Sequence, residues 1–261
     1  MSLVKYGGNS RFVSAEPDSL IKIPRQVDPA EAACLAETYL SAFQVLHFGQ
    51  SPASRYRKLS LKGKSLFIHG PVTSNFGRAI AQLAVDAGVG NIYATTKPKH
   101  VQNLMSMGIV PLSPDPVDWW EDLTGNIDLF ISIEEKVIPL HYKLLSTSGH
   151  VIFTGHGSDI AEEQDGGLSN KVACSRLRAE RASKTHRFDL FKNWDENLPR
   201  CKKDLTYLLG LLQQRRIQPQ IIDRIPLSKI ARAQELVELK RHSGFLVCEP
   251  WLVSKSRVVS L

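Results

Sequence analysis

Short apolar runs rich in β-branched and aromatic residues recur along most of the chain, with helical periodicity between them. This alternation is typical of an α/β protein whose parallel sheet is covered by helices on both faces. The predicted strands are Ser65–His69, Asn91–Thr95, Ile109–Leu112, Asp128–Ile133, His150–Thr154 and Phe245–Cys248.

Capping residues mark the ends of the predicted helices. Asp28 followed by Pro29 indicates a helix start, and apolar residues at three-to-four spacing then continue to a stop at Gly49. Further helices are predicted at Phe76–Ala87, Pro98–Met107, Pro139–Ser146, Leu168–Ser183, Trp194–Arg216 and Ser228–Lys240. The first three of these end just before Gly88 or Gly108, or shortly before Gly149, where a left-handed C-cap is expected.

Composition narrows the class of protein. The chain has 261 residues, 43% of them hydrophobic and 23% charged, which is near the average for soluble globular proteins. The opening stretch has no apolar leader, and no window approaches about eighteen uncharged apolar residues, so we expect neither a signal peptide nor a membrane span. We therefore expect a cytoplasmic protein. Its four cysteines stand too far apart for the ligand spacing of a structural zinc site, and no metal is expected.

The net charge of +7 is concentrated in two basic stretches, residues 55–64 and 171–203. Such a surface could bind an anionic cofactor or a nucleic acid, or it could be a solvated face with no ligand. Aromatic residues are not interleaved with the lysines and arginines in a strand pattern, so we do not expect a nucleic-acid partner.

A strand, a small-residue loop and a helix start follow one another after residue 65. The loop runs from Gly70 to Gly77, and between them Thr73, Ser74 and Asn75 offer hydroxyl and amide groups. This order presents backbone N–H groups and the positive end of a helix dipole, which suit a pyrophosphate. The strict three-glycine motif is missing, and similar loops occur in proteins that bind no nucleotide.

The residues after the next strand favour one nucleotide over another. An NAD site places an acid there to hold the ribose 2′-hydroxyl, but this strand is followed by Thr96, Lys97 and Lys99 without an acid. Hydroxyls and cations suit a 2′-phosphate, so NADP(H) is the favoured cofactor. The alternative is that these lysines form an exposed first helical turn.

Several segments together resemble the medium-chain dehydrogenase/reductase superfamily, and more narrowly its zinc-independent quinone oxidoreductase and enoyl reductase branch. They are PDSLIKIPRQVDPAEAACLAETYLSAFQVLH, GRAIAQLAVDAG, GHVIFTGHG and IQPQIIDRIPLSKIARAQELVELKRHSGFLVCEP. The resemblance extends from about Tyr6 to Pro250. It implies an NADP(H)-binding Rossmann domain that works with a GroES-like barrel, with the active site between them.

The resemblance also implies a domain organisation and a set of site residues. Residues 1–24 would be a remnant of the GroES-like domain, 25–220 the Rossmann domain with an acidic surface loop at 155–167, and 221–261 a strand-helix-strand segment returning to the barrel and sheet. The implied cofactor-binding residues are Thr38, Gly70, Thr73, Ser74, Asn75, Phe76, Gly77, Thr96, Lys97, His100, Ser132, Ile133, Gly155 and Phe188. Relatives often pair the edges of their Rossmann sheets, so a homodimer is expected near Phe245–Cys248.

Two functions stay open at this stage. One is an NADPH-dependent oxidoreductase that reduces a conjugated carbonyl or a quinone. The other is a dinucleotide-binding relic or binding module without turnover, because most of the barrel that supplies the substrate wall in enoyl reductases is not in the sequence. No catalytic acid is nominated: Tyr39 and His47 are candidates, but their helical spacing is typical of core residues.

Overall fold

A computed structural model of the chain describes residues 1–2, 8–50, 56, 60–133, 139–154, 184–239 and 243–252. The strands are β1 (Ser65–His69), β2 (Asn91–Thr95), β3 (Val110–Leu112), β4 (Ile127–Ser132), β5 (Leu145–Phe153), β6 (Thr185–Arg187), β7 (Ile221–Pro226) and β8 (Phe245–Glu249). The α-helices are α1 (Pro29–Ala33), α2 (Leu40–Leu46), α3 (Asn75–Ala87), α4 (Val101–Ser106), α5 (Trp120–Leu123), α6 (Leu190–Glu196), α7 (Leu198–Gln213) and α8 (Ile230–Glu238).

The first six strands form one parallel sheet in the order β3-β2-β1-β4-β5-β6. This is the strand order of a doubly wound Rossmann-type sheet, in which the order reverses between β1 and β4. The predicted α/β class with a parallel sheet and helices is therefore confirmed.

Buried aromatic residues hold the centre of this sheet. In β1, three successive residues from Leu66 to Ile68 are buried, as expected for a parallel strand covered on both faces. Phe67 stacks on Phe130 of β4 with ring centroids 5.0 Å apart, and Trp119 packs against Phe67 at 5.6 Å. The strand pairing at the switch between β1 and β4 is thereby fixed by apolar packing.

The chain forms two compact units. One contains residues 42–190 and carries the six-stranded sheet, and the other contains residues 1–41 and 191–261. These limits differ from the predicted boundaries at residues 24 and 220, which stay predictions. Before residue 25, the described residues contain a single 3₁₀ turn, Pro17–Ser19, and no strand. The GroES-like remnant also stays a prediction.

In the second unit, ion pairs join the start of α1 to a small sheet. Asp28 caps α1 by accepting a hydrogen bond from the Ala30 N–H, as the sequence predicts. Arg224 of β7 pairs with Asp28 and with Glu249 of β8. The Arg224 guanidinium holds the pKa of Asp28 below its usual range.

The long N-terminal helix is predicted correctly, although its middle is wound differently. The chain is helical from Pro29 to Leu46, with a π-helical segment, Leu35–Tyr39, between α1 and α2. Tyr39 and His47 are both buried, and His47 Nδ1 lies 3.1 Å from Gln50 Oε1. Their burial favours the structural interpretation over the catalytic one.

Phe245–Cys248 was predicted as the sixth strand of the parallel sheet, and this is wrong. β8 pairs with β7 in a separate two-stranded sheet, and β6 takes the sixth place in the large one. The edges of the described large sheet are β3 and β6. The strand-helix-strand pattern predicted after residue 220 is present as β7, α8 and β8. The homodimer stays a prediction, but β8 is not an edge of the Rossmann sheet.

The predicted helix Pro139–Ser146 is also wrong. Pro139–Leu144 is a 3₁₀ segment, and β5 begins at Leu145 and includes Gly149. A Cβ on Gly149 would lie 2.4 Å from the carbonyl oxygen of Ile127. This glycine therefore permits close approach of two strands instead of ending a helix.

The predicted helix Trp194–Arg216 is divided in two. α6 ends at Glu196 and α7 begins at Leu198, with Pro199 in the first turn of α7, where its missing N–H costs no hydrogen bond.

The predicted helix Leu168–Ser183, the acidic loop 155–167 and Gly155 lie outside the described residues. Within the described part of the chain, no helix has the length and apolarity needed to cross a membrane.

Candidate nucleotide-binding site

The candidate site lies at the carboxyl edge of the large sheet, where the strand order reverses. His69 ends β1, Ser132 ends β4, and the two residues are paired in the sheet register. The Ile133 N–H donates to the His69 carbonyl at 2.8 Å and extends the pairing by one residue. Ligands of open α/β sheets bind outside the carboxyl ends of the strands at this kind of switch point.

The loop after β1 turns sharply. Gly70 has a φ of +112°, a backbone conformation that residues with side chains rarely adopt. The Val72 N–H donates to the Gly70 carbonyl at 2.8 Å, and the Ser74 N–H donates to the Pro71 carbonyl at 2.9 Å. Two consecutive tight turns therefore carry the chain from the strand to the first turn of α3.

Gly77 lets α3 pack directly on this loop. A Cβ at this position would lie 2.4 Å from the carbonyl oxygen of Val72 and 2.6 Å from its Cα. Gly77 is buried within the first turn of α3, so a side chain at this position would have no space. Glycine is required here by close approach, which is the role of the third glycine in dinucleotide-binding loops.

The start of α3 points unpaired donors toward the loop. The Ser74 side chain caps the helix by accepting a hydrogen bond from the Gly77 N–H at 3.1 Å. The N–H groups of Asn75 and Phe76 have no intrahelical acceptor, because they belong to the first turn. With thirteen residues, α3 also has a substantial dipole whose positive end lies here. These features together suit an anion.

A groove of about 320 Å³ opens beside the loop, at the ends of β1 and β2. Its lining residues are His69, Gly70, Pro71, Val72, Thr73, Thr95, Thr96, Lys97, His100, Leu104 and Pro114. This volume is at the small end of the range for ligand pockets, so it suits one half of a dinucleotide.

The polar groups of the groove favour a negatively charged ligand. Hydroxyls of Thr73, Thr95 and Thr96, the Lys97 ammonium and the His100 ring line it, and the lining contains no carboxylate. Among the described residues, the Asn75 Oδ1 atom is buried without a hydrogen-bond partner. This acceptor is outside the groove lining and needs a donor from water or from a ligand hydroxyl, so the preference for an anion rests on the hydroxyls and cations alone.

A pair of histidines lies next to the groove. His69 Nδ1 is 3.2 Å from the Ser132 hydroxyl, and the His69 and His141 ring centroids are 4.9 Å apart. Burial, together with the nearby His69, lowers the pKa of His141 to about 4, so this ring is neutral near pH 7. The Nδ1 atom of His141 has no hydrogen-bond partner within the described structure.

The structure brings most of the sequence-predicted residues to this edge. Gly70, Thr73, Thr96, Lys97 and His100 line the groove. Ser74, Asn75, Phe76 and Gly77 form the cap and first turn of α3 next to it. Ser132 and Ile133 lie at the end of β4, one strand away from the groove.

Other predicted residues lie elsewhere or outside the described range. Phe188 follows β6, and its N–H donates to the Phe153 carbonyl at 2.9 Å. Thr38 is in the π-helical segment and belongs to the second compact unit. Gly155 is not described. The roles assigned to these residues stay predictions.

Six of the groove residues were not among the predicted site residues. Pro71, Val72 and Thr95 belong to the predicted loop and to the end of the strand before Thr96, whereas His69, Leu104 and Pro114 belong to neither. His69 is the last residue of a predicted strand, and its position before the loop was a usable signal. Leu104 is an apolar residue of α4, and Pro114 lies in a loop after β3. Neither Leu104 nor Pro114 belongs to a local motif. Their segments come to the same edge of the sheet only through the pairing of β2 with β3.

The residues present fit the phosphate-bearing part of a nicotinamide dinucleotide. Gly77 brings the first turn of α3 against the loop, so the N–H groups of Asn75 and Phe76 lie beside the Gly70–Gly77 backbone, and free donors at a helix start suit a phosphate. Lys97 and His100 lie at the end of β2, where the adenosine ribose of such a cofactor is held. In the described part of the chain, no cluster of three or more potential metal ligands is present.

No family model matches this chain, and no curated protein matches it significantly. Solved structures do. The apo form of JamJ enoyl reductase is 18% identical, with a TM-score of 0.66 over 90% of this chain and 66% of that one. The quinone oxidoreductase from Coxiella burnetii is 17% identical, with a TM-score of 0.61 over 90% of this chain and 65% of that one.

A human protein, the synaptic vesicle membrane protein VAT-1 homolog-like protein, is 17% identical, with a TM-score of 0.60 over 90% of this chain and 66% of that one. At such identities the likeness establishes the fold alone, which this chain shares with these enoyl reductase and quinone oxidoreductase structures, as the resemblance predicted. This chain spans about two thirds of the length of those structures.

Proposed function

We propose that this protein binds NADP(H) and is an oxidoreductase of the medium-chain type that reduces a conjugated carbonyl or a quinone. The observation that carries the proposal is the groove itself. A close-packed phosphate loop, a helix N-terminus and the Lys97 and His100 side chains meet there, and the lining contains no carboxylate.

The charge of the groove favours NADP(H) over NAD(H). Lys97 is exposed and lines the groove just after β2, where an NAD site would place an acid on the ribose 2′-hydroxyl. A 2′-phosphate adds a dianion at this position, and an ammonium together with threonine hydroxyls can pair with it. A carboxylate there would repel it.

The protein's contribution to the reaction is binding and orientation. When bound, the cofactor supplies the hydride that passes to the acceptor. The chain's own residues would hold the phosphates at the Gly70–Gly77 loop and the 2′-phosphate at Lys97, next to the switch point between β1 and β4. No residue of the described structure is assigned as proton donor.

The names of the fold neighbours support the choice of acceptor. They include enoyl reductases and a quinone oxidoreductase, which act on enoyl compounds and quinones as their names state. This favours an oxidoreductase over a binding module without turnover. The homodimer and the cytoplasmic location remain predictions of the same proposal.

Two measurements on the purified full chain test the function. Titration of NADPH fluorescence is expected to show enhancement or a blue shift on binding, and NADPH consumption is expected with members of an enone and quinone panel. NADH serves as the matched ligand that lacks the 2′-phosphate, and we expect it to bind more weakly. If neither nucleotide binds, the cofactor assignment is wrong. Binding without turnover on any acceptor would favour the binding module.

A further inference from the structure

The side chain of Arg78 is tied to the loop that precedes its helix. Its Nε donates a hydrogen bond to the main-chain carbonyl of Thr73 at 3.0 Å, and this contact is partly buried. Thr73 lines the groove, whereas Arg78 is not among the lining residues. Arg78 therefore contacts the loop from outside the groove and does not occupy the ligand's space.

The loop has few backbone donors left for a ligand. Pro71 has no N–H, and the N–H groups of Val72 and Ser74 donate to carbonyls two and three residues earlier in the loop. The N–H of Gly77 donates to the Ser74 side chain. In the loop as described, the backbone donors that remain are those of Gly70, Thr73, Asn75 and Phe76. Because so few donors remain, a change in the conformation of the loop would have a large effect on anion binding.

The peptide group that joins Thr73 to Ser74 lies between the remaining Thr73 and Asn75 donors and is held from both sides. Its N–H donates to the Pro71 carbonyl, and its oxygen accepts from Arg78. A charged donor makes a stronger hydrogen bond than a neutral one, so the Thr73 carbonyl oxygen is committed to the guanidinium. If this peptide rotated and turned its oxygen into the groove, it would place a partial negative charge beside the phosphate. The loop has glycines only at its two ends, so its middle has no glycine that could adjust its conformation to a ligand.

We propose that Arg78 is a positioning residue for the phosphate-binding loop. Its hydrogen bond to the Thr73 carbonyl keeps the loop in the conformation in which its remaining N–H groups can receive an anion. This inference rests on the proposed function, because the anion in question is the 5′-phosphate side of NADP(H). It assigns Arg78 no contact with the cofactor.

Two variants separate this role from a general effect of charge. Arg78→Met keeps an apolar stem but removes the donor, and Arg78→Lys keeps the charge but has no Nε. The ligands are adenosine 2′-monophosphate, adenosine 2′,5′-bisphosphate and NADPH, because only the last two carry the 5′-phosphate that meets the loop. Dissociation constants are measured by calorimetry or fluorescence competition, and thermal unfolding of each variant is followed in parallel.

We expect both variants to bind adenosine 2′,5′-bisphosphate and NADPH about tenfold more weakly than the parent protein. Binding of adenosine 2′-monophosphate is expected to change by less than about twofold, since its phosphate lies at the Lys97 end. A structural defect without a positioning role would weaken all three ligands alike. Lys143→Met, which removes an exposed cation that lies before β5 and outside the groove lining, is the charge control and should leave all three constants unchanged.

Equal weakening of the three ligands, restoration of parent affinity by Arg78→Lys, or no weakening at all would each overturn the inference. If Arg78→Met does not fold, the same ligand comparison on Arg78→Lys decides the matter. Failure of the parent protein to bind NADPH would instead overturn the proposed function. The two failures are therefore distinguishable.

Discussion

The two ends of β1 use polar residues in opposite ways. At the amino end, Asp128 accepts hydrogen bonds from the Ser65 N–H at 3.0 Å, from Lys64 Nζ at 3.1 Å and from the Ser146 hydroxyl at 3.2 Å. Burial by itself raises the pKa of Asp128, but the hydrogen bonds from Ser65 and Lys64 outweigh it and hold the pKa below its usual value. In this cluster the Asp128 carboxylate is matched by three donors from the chain.

At the carboxyl end, polar groups are left for something other than the chain. The groove collects the hydroxyls of Thr73 and Thr96 with the Lys97 and His100 side chains, and the buried Asn75 Oδ1 lacks a partner within the described structure. The groove hydroxyls and the Lys97 ammonium can pair with an anion, whereas the Asn75 oxygen needs a donor from water or from a ligand hydroxyl, and an unsatisfied buried polar group costs about 1–3 kcal/mol. Under the proposed function, the amino end of the strand serves stability and the carboxyl end serves binding.

The strongest test of this contrast is Gly77→Ala. In an ordinary helical position this change stabilises a protein by about 0.5–1 kcal/mol, but here the new Cβ would lie 2.4 Å from the Val72 oxygen. Loop and helix must separate, and we expect a loss of about 2 kcal/mol in stability and at least about thirtyfold in NADPH affinity. Thermal unfolding and fluorescence titration measure the two effects.

Gly210→Ala is the matched control for this prediction. Gly210 lies within α7, and no atom stands within 4 Å of a Cβ built there. The control should gain about 0.5–1 kcal/mol and leave NADPH affinity unchanged. If Gly77→Ala behaves like Gly210→Ala, the close packing of loop and helix is not what shapes the site.

The charge of the carboxyl end is tested by Lys97→Glu. A carboxylate at this groove position replaces attraction for the 2′-phosphate by repulsion, so we expect NADPH affinity to fall about tenfold or more. NADH has no 2′-phosphate and should lose much less. The ratio of the two dissociation constants is the measured quantity.

Lys99→Glu makes the same charge reversal two residues away, on an exposed residue that does not line the groove. We expect it to leave the NADPH to NADH ratio nearly unchanged. If Lys97→Glu weakens the binding of NADPH and NADH equally, Lys97 does not contact the 2′-phosphate. That result would not bear on the assignment of the Gly70–Gly77 loop.

The amino end is tested by Asp128→Asn, for which we expect the smallest effect. The partly exposed cluster should lose about 1 kcal/mol of stability, with NADPH affinity unchanged. Because the pKa of Asp128 is lowered in the folded chain, its contribution is present above the usual carboxyl pKa of 3.8 and is lost as the pH falls through the lower folded value. The difference in unfolding free energy between parent and variant should therefore shrink in acid.

Asp122→Asn is the control, since Asp122 is an exposed carboxylate of α5 for which the described structure contains no side-chain hydrogen bond or ion pair. It should change neither stability nor its pH dependence. A loss of NADPH binding in Asp128→Asn would contradict the division of roles between the two ends of β1.

Much of the sheet could be predicted from the sequence because its strands carry their own signal. The apolar run in β1 and the capped start of α3 are local patterns, and both were located to within one residue. The short strand β6 escaped prediction because Thr185–Arg187 is polar and has no apolar alternation. Its strand conformation follows from pairing with β5.

Some local signals were misleading because a distant residue overrode them. Gly149 has the appearance of a helix cap, yet the carbonyl of Ile127 occupies the place of its side chain. The strand at Phe245 has the apolar composition of a Rossmann strand, yet it pairs with β7. Propensity is weak compared with the hydrogen bonds and packing that a neighbouring strand supplies.

By itself, the sequence determined the fold class, the phosphate loop between Gly70 and Gly77, and the absence of an acid after β2. Each of these follows from patterns that can be read along the chain without knowing which distant residues pair. Only the tertiary structure decided that Leu104 and Pro114 close the groove, that Arg78 holds the Thr73 carbonyl, and that Asp128 is satisfied at the far end of β1. Such contacts join residues by strand pairing and packing across the sheet, and no local pattern encodes which partners will meet.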